Sequence, residues 1–480
     1  MNSLIILTAI AVFVLVIIVR AVAAAEKLYT AANIPPVKID VASAAEKLSA
    51  AVRIRTIACD EIGETDIKAF RDFAAYLKKS FPLVHSEMKR EVINGASLLY
   101  RWKGKDKQKK PVLFCAHIDV VPVETGTEGD WKYPPFFGAI KDDSVWGRGT
   151  QDIKNQLIAL LEAAEAMIAQ KFTPERDIYF AFGHDEETRR HDGADVIAAL
   201  LKDRGILFEY VLDEGGSVLD NAVTGVKRPV AFIGIAEKGF VNVHLEAKGG
   251  MGHSSMPPEH TAAGIICRTV SRLETHSCPL ALTVPVKQMF SALAPVTRPG
   301  LRMVFSNMWF FAPLFKRIFA LSPQGAALLR TTMAATMLSG SGAPNVLPQA
   351  ASAVVNARIL HGESSDTLKS YIGKVIADSS VSIEMHQVYE PSKISPVDSY
   401  GFMRTAGVIR ALWPEAVIVP YLVAGGGDAR KYEELTDCVY RFTPARVDNS
   451  EMKQIHGTNE RVSLQNLEDS IKFYTAMFAG

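Results

Sequence analysis

The sequence predicts an α/β protein built on a mainly parallel sheet, with a second, α+β unit inserted into it. Two observations lead there. Apolar runs of strand length at 111–116, 178–182 and 210–212 alternate with helix-like stretches such as 43–48 and 156–162. Runs that are continuously apolar suit strands buried on both faces, as in a parallel sheet covered by helices. From about Glu237 the texture changes, and 241–247 and 352–358 alternate apolar with polar residues, which fits an antiparallel sheet with one solvated face.

Taken in order, residues 1–25 are an apolar leader, 26–41 a linker marked by Pro35-Pro36, 42–236 the first part of the catalytic unit, 237–390 the insert, and 391–480 the second part. In the leader only Thr8 interrupts residues 4–19, and the stretch continuing to Ala25 approaches the roughly 17–25 residues that cross a bilayer. No Lys or Arg precedes it, although Ala21-Val22-Ala23 supplies a small-residue cleavage pattern. The reading favours an uncleaved anchor over a signal peptide. It puts the protein on a membrane or among secreted proteins, with the catalytic domain extracytoplasmic. The stretch 303–338, with Trp309-Phe310-Phe311 and Leu314-Phe315, is helical and unusually apolar. It reads as core of the insert, with an acyl-chain groove or a membrane-facing surface as alternatives.

Composition narrows the function. The 480 residues are 48% hydrophobic, and 53 basic against 52 acidic side chains leave no field that would attract nucleic acid. Five scattered cysteines form neither a disulfide framework nor a CxxC metal motif.

The chemistry lies in His117-Ile118-Asp119, Asp152, Asp185-Glu186-Glu187, Asp213-Glu214 and His456. Any one such pair is ordinarily a cap or a surface feature. Here the apolar runs at 111–116, 178–182 and 210–212 each end in His or acids, and ligands in open α/β sheets sit at the carboxyl ends of strands. The one-residue gap between His117 and Asp119 puts both on one side of an extended backbone. Two imidazoles and three or more carboxylates suit a pair of divalent ions, zinc before others, bridged by one carboxylate and a reactive water. Glu186 and Glu187 are adjacent and diverge, so one can face an ion while the other takes a proton. Because His456 lies beyond the insert, the catalytic unit must resume after it.

The strings FCAHIDVVPV, WGRGTQDIKN, FGHDEE, VLDEGG, GHSSMPP, GAPNVLPQ, NARI, GGGDAR and QIHGTNE, spread from about Ala45 to the C-terminus, resemble the aminoacylase and carboxypeptidase family of dinuclear zinc peptidases, peptidase family M20. Within it the likeness is to Gly-X carboxypeptidases and N-fatty-acyl-amino-acid synthase/hydrolases. The resemblance implies that His117 and Asp213 hold one zinc, Glu187 and His456 the other, and that Asp152 bridges them. Asp119 would orient His117, and Glu186 would be the general base. It further implies that the insert is a lid and dimerisation module of a homodimer. His253 would then stabilise the oxyanion across the interface, and Arg358 and Asn345 would receive the substrate's free carboxylate.

The expected function is a zinc-dependent metallopeptidase or amidohydrolase that cleaves an amide bond beside a free C-terminal carboxylate, as a carboxypeptidase or N-acyl-amino-acid hydrolase, and that in principle runs in reverse. A short-chain aminoacylase or dipeptidase is the alternative within the class. An inactive membrane-tethered binding protein is the alternative outside it.

Overall fold

The computed structural model describes residues 2–59, 65–188 and 190–480. Strands β1 (Lys89–Ile93), β2 (Ser97–Trp102) and β3 (Val112–His117) open the catalytic unit. A hairpin of β4 (Ala139–Lys141) and β5 (Ser144–Trp146) follows. Then come β6 (Ile178–Gly183), β7 (Tyr210–Leu219) and β8 (Val230–Glu237). The insert contributes β9 (Phe240–Lys248), β10 (Gly252–His253), β11 (Thr332–Ser339), β12 (Val346–Leu347), β13 (Ala350–Arg358) and β14 (Val381–Tyr389). After it, β15 (Val417–Val423), β16 (Val439–Val447) and β17 (Arg461–Ser463) return to the catalytic unit.

The large sheet has eight strands in the order β1-β2-β6-β3-β7-β16-β8-β15. Its middle, β6-β3-β7-β16, is parallel. Every residue of β3 and β6 is buried, which is why their sequences are apolar without alternation. The helices Asn155–Ala169 and Leu464–Phe478 cover one face, where Phe114, Phe180, Phe182, Tyr474 and Phe478 meet in the main core. Burying each such ring contributes roughly 1.5–3 kcal/mol. The register sets His117 beside Gly183 and Phe114 beside Leu212, so β3, β6 and β7 end at one edge of the sheet.

The insert's own sheet has the order β11-β13-β9-β14 and is antiparallel throughout. Helices Ala262–Thr275 and Ser365–Ile376 pack on one face through Ile266, Leu273, Leu368 and Ile372. The other face carries the polar half of the alternation.

The stretch 303–338, expected to be helical core of the insert, divides. Thr332–Ser339 is strand β11 of the insert's sheet, but the helices before it are not core of the insert, because Phe305 and Leu329, with Val286, Met289 and Phe290, pack with Val230 of β8 and Val417 and Val419 of β15. They cover the far edge of the large sheet, where apolar strands without a covering helix would be exposed. The stretch 26–41, expected as a linker, is packed along its length. Tyr29 is buried, Ala32, Ile34, Val37 and Ile39 pack on the main core, and Glu26 forms a two-pronged pair with Arg228 at 2.7 and 3.0 Å.

Candidate metal centre

At the common edge of β3, β6 and β7, three loops and the segment before β17 bring imidazoles and carboxylates together. His117, the last residue of β3, is 2% exposed. Its Nδ1 lies 2.9 Å from the backbone carbonyl of Asp119 and 3.4 Å from that residue's Oδ1. A carbonyl only accepts, so Nδ1 carries the proton and Nε2 presents a lone pair. Facing Nε2 are Asp152 Oδ1 at 3.0 Å and Glu214 Oε1 at 3.3 Å. The other oxygen of Asp152 faces His456 Nε2 at 2.9 Å, and Glu187 Oε2 is 3.2 Å from the same nitrogen. Asp152 thus spans two imidazoles, one oxygen to each.

Each half of this cluster is a ring of acceptors. Two carboxylates about 4 Å apart repel by about 4 kcal/mol in partly screened surroundings, so the arrangement calls for positive charge between them. Protons report the same demand. Burial opposes the charged form of His117, but the Asp119, Asp152 and Glu214 carboxylates outweigh it and hold its pKa well above the ordinary range. Hydrogen bonds to Asp152 and Glu187 lift His456 to about 10. One oxygen of the buried Glu187 carboxylate has no hydrogen-bond partner. The sets His117–Asp152–Glu214 and Asp152–Glu187–His456, whose ligand atoms lie within 4.8 Å of one another, therefore fit two divalent cations sharing Asp152. Imidazole nitrogen and carboxylate oxygen together are zinc's donor types.

Glu186 stands beside this cluster, with a carboxylate oxygen within 4.8 Å of ligand atoms on His117 and Glu187. It lines a narrow cleft with Phe240, Tyr389, Gly427, Asp428 and Arg430. Burial first, then the Glu187, Glu214 and Asp428 carboxylates, push its pKa well above the ordinary carboxylate range, although His117 opposes this. That is the tuning a proton-accepting base needs near neutral pH. Asp119 is completely buried, and its Oδ2 accepts from the backbone N–H of Glu187 at 3.0 Å, so it ties the loop after β3 to the loop after β6.

Asp213, expected as the partner of His117 on one zinc, is buried beside the cluster, and its Oδ2 has no hydrogen-bond partner. Its Oδ1 accepts from the backbone N–H of Glu214 at 2.9 Å, and its Oδ2 stands 4.0 Å from where a Cβ on Gly427 would be. Glu214, not Asp213, meets His117. The cause is local: β7 pairs Asp213 with Arg441 but Gly216 with Phe442, so Glu214 and Gly215 bulge out of the ladder. A bulge re-aims a side chain that strict alternation would send to the opposite face, and Gly215, at φ 142°, accommodates it. Burial lifts the carboxyl pKa of Glu214 to about 8 and that of Asp213 to about 6.

Two residues that the sequence reading left without a role hold the cluster from behind. Glu460 is completely buried. Its Oε1 accepts from the backbone N–H groups of Gln151 at 2.8 Å and Asp152 at 3.2 Å, and its Oε2 accepts from Arg148 Nη1 at 2.6 Å. Arg148 Nη2 donates onward to the carbonyl of His456 at 3.1 Å. Both residues sit inside strings already singled out, WGRGTQDIKN and QIHGTNE.

The substrate-side residues are placed differently. Arg358, at the end of β13, lies with its guanidinium 4.8 Å over the Phe240 ring, which lines the Glu186 cleft. His253 and Asn345 come together in the insert, where β10 pairs with β12 and Ser254 N–H donates to the Asn345 carbonyl at 3.1 Å. His253 is exposed, and its Nδ1 contacts Ser255 Oγ at 2.9 Å. Among the described residues it makes no hydrogen bond to the metal-site cluster of its own chain.

Comparison with known proteins gives one consistent result. The sequence profile of Peptidase family M20/M25/M40 matches residues 113–479. The "Probable carboxypeptidase S-like 2" of Dictyostelium discoideum is 36% identical over 90% of this chain and 83% of its own length. The "N-fatty-acyl-amino acid synthase/hydrolase PM20D1" of Homo sapiens is 35% identical over 89% and 86%, and "Carboxypeptidase S" of Saccharomyces cerevisiae 31% over 90% and 83%. Among solved structures, an M20 family metallo-carboxypeptidase from Sulfolobus solfataricus superposes with a TM-score of 0.67 at 17% identity, covering 91% of this chain and 98% of that one. Human carnosine dipeptidase 1 gives 0.64 at 17%, with 92% and 96% covered.

Proposed function

From the premise that the chain belongs to peptidase family M20/M25/M40 and is a metallohydrolase of amide bonds beside a free C-terminal carboxylate, we propose how its residues divide that work. His117, Asp152 and Glu214 hold one zinc, Asp152, Glu187 and His456 the other, and Glu186 is the general base. The observation that carries this is the Asp152 carboxylate, which presents one oxygen to each imidazole while Glu186 points into the adjoining cleft.

Bound zinc supplies a Lewis acid for the scissile carbonyl and lowers the pKa of water. The protein's own groups do the rest. Glu186 accepts a proton from the attacking water and returns it to the departing amide nitrogen. Asp119 keeps the proton of His117 on Nδ1 and fixes the Glu187 amide, so neither ligand loop drifts. Arg358 receives the substrate carboxylate by a two-pronged contact, with Asn345 assisting, and His253 completes the site of a partner subunit in a homodimer. The substrate class is N-acyl amino acids or short peptides with a free C-terminus. The N-terminal helix is retained as a membrane anchor, since the folded domain caps its last carbonyls.

The test is hydrolysis by the purified full chain of N-acyl amino acids and dipeptides, each beside its C-terminal amide, with Glu186→Gln as control. Release of amino acid from the free acids alone, abolished in the control, is expected. Equal rates on the amides would overturn the carboxylate reading.

A further inference from the structure

Away from the metal centre, a continuous apolar surface remains at the N-terminal corner of the molecule. The helix Met308–Phe319 has no buried residue. On it Trp309 is 56%, Phe310 46%, Leu314 61% and Ile318 59% exposed. Against its start packs the N-terminal helix Asn2–Ala23, whose segment Ser3–Ala23 is long and apolar enough to cross a membrane and is 11% buried.

The two helices are joined by directed contacts. Phe13 meets Phe310 edge-on at 4.8 Å and Trp309 at 5.9 Å. Asn307, completely buried, donates from Nδ2 to the Ile17 carbonyl at 3.0 Å. Arg302 donates to the carbonyls of Ala21 at 2.7 Å and Ala24 at 2.6 Å. The last carbonyls of a helix have no partner within it, so the catalytic unit supplies the cap. The strapped segment 26–41 leaves no slack between this helix and the sheet.

Depth follows from helix geometry. Arg20 is the first charged residue of the apolar helix and marks where it leaves hydrocarbon. At 1.5 Å per residue, Phe13 lies about 10 Å deeper along the axis. Whatever touches Phe13 is carried to that depth, and Trp309 and Phe310 touch it. Arg298, before the helix, and Arg317, three residues on from Leu314 at the C-terminal end of the apolar face, are both exposed. Aromatic and aliphatic side chains on one face with a cation at its end suit a helix lying about 5–10 Å into the headgroup–acyl boundary.

We propose that the Met308–Phe319 helix is a second membrane contact, an interfacial helix that seats the catalytic unit on a phospholipid bilayer beside its N-terminal anchor. The proposal rests on that anchor being retained. A bilayer is favoured over a second copy because a two-fold contact would set the same arginines against each other, whereas phosphate headgroups neutralise them. The apolar face is also continuous with the membrane-crossing helix.

The tryptophans provide the test. Trp102, Trp131, Trp146 and Trp413 are between 4% and 8% exposed, against 56% for Trp309. The full chain is reconstituted in phosphatidylcholine–phosphatidylserine vesicles containing phospholipid brominated on the upper acyl carbons. Quenching of roughly a fifth of the tryptophan emission is expected, lost in Trp309→Phe and reduced in Leu314→Glu, with hydrolysis of a soluble substrate unchanged in both. Chain that survives an alkaline carbonate wash in the membrane yet shows no quenching, or equal quenching in Trp309→Phe, overturns the interfacial helix and leaves the anchor standing. Release of the chain by the wash overturns the anchor and the interfacial helix together. An unquenched Trp309 in a detergent-stable dimer that Leu314→Glu dissociates assigns the face to a second copy and overturns the proposal.

Discussion

The carboxyl edge of the parallel sheet and the β10–β12 ribbon of the insert carry chemistry in opposite ways. At the sheet edge, His117, Asp152, Glu187 and Glu214 converge within one chain, backed by the buried Asp119 and Glu460. In the ribbon, His253 and Asn345 are near each other but exposed and apart from that cluster. A buried cluster of like charges persists only when every member is fixed from behind, because each uncompensated group costs several kcal/mol. An exposed histidine needs no such backing. The metal-ligand cluster is therefore assembled within one chain, whereas the ribbon leaves its histidine at the surface.

The largest effect should come from Glu186. Glu186→Gln should lower turnover by about 10³-fold or more while zinc content, measured by elemental analysis, stays at two per chain. Glu187→Gln should lose zinc instead. Normal zinc in the Glu187 variant with loss in the Glu186 variant would exchange their roles.

Glu214 and Asp213 test how the sheet edge is built. Glu214→Ala should weaken one zinc site by more than the roughly 10- to 100-fold expected for Asp119→Asn, which removes only an outer partner. Asp213→Asn should keep both ions at the same free zinc concentration. Chelator titrations of the three variants decide it, and a full zinc complement in Glu214→Ala would restore Asp213 as the ligand.

The ribbon is tested by subunit mixing. His253→Ala should lose about 10²- to 10³-fold in rate if it stabilises the oxyanion. Mixed with Glu186→Gln under conditions that exchange subunits, it should recover up to about a quarter of normal activity, because each heterodimer regains one intact site. No recovery despite demonstrated heterodimers would return His253 to its own chain or to a structural role.

The contrast also explains what was legible in the sequence. The sheet was readable because β3 and β6 are buried on both faces and so carry no polar interruption, and the ligands follow directly at their ends. Asp213 was assigned through the family resemblance alone, and the bulge that brings the neighbouring Glu214 to His117 is revealed only by the β7–β16 register. Arg148 and Glu460 lie 312 residues apart in sequence, and nothing local marks them as a pair. The stretch 303–338 was apolar enough to be recognised as core, but sequence does not say which sheet an apolar helix covers.

The smallest effect belongs to Arg358, which stands between the two regions at the end of β13 with its guanidinium over Phe240. If it grips the substrate carboxylate, its two parallel N–H groups matter as much as its charge, and Arg358→Lys keeps the charge but not the fork. A charge-assisted hydrogen bond is worth about 1.5–3 kcal/mol, so the lysine variant should lose about 10- to 100-fold in kcat/KM on free-acid substrates and little on the amides, which were poor already. The loss should fall mainly on KM if the carboxylate is held equally in ground and transition states. A uniform loss on acids and amides would mean that Arg358 supports the cleft through Phe240 rather than reading the substrate.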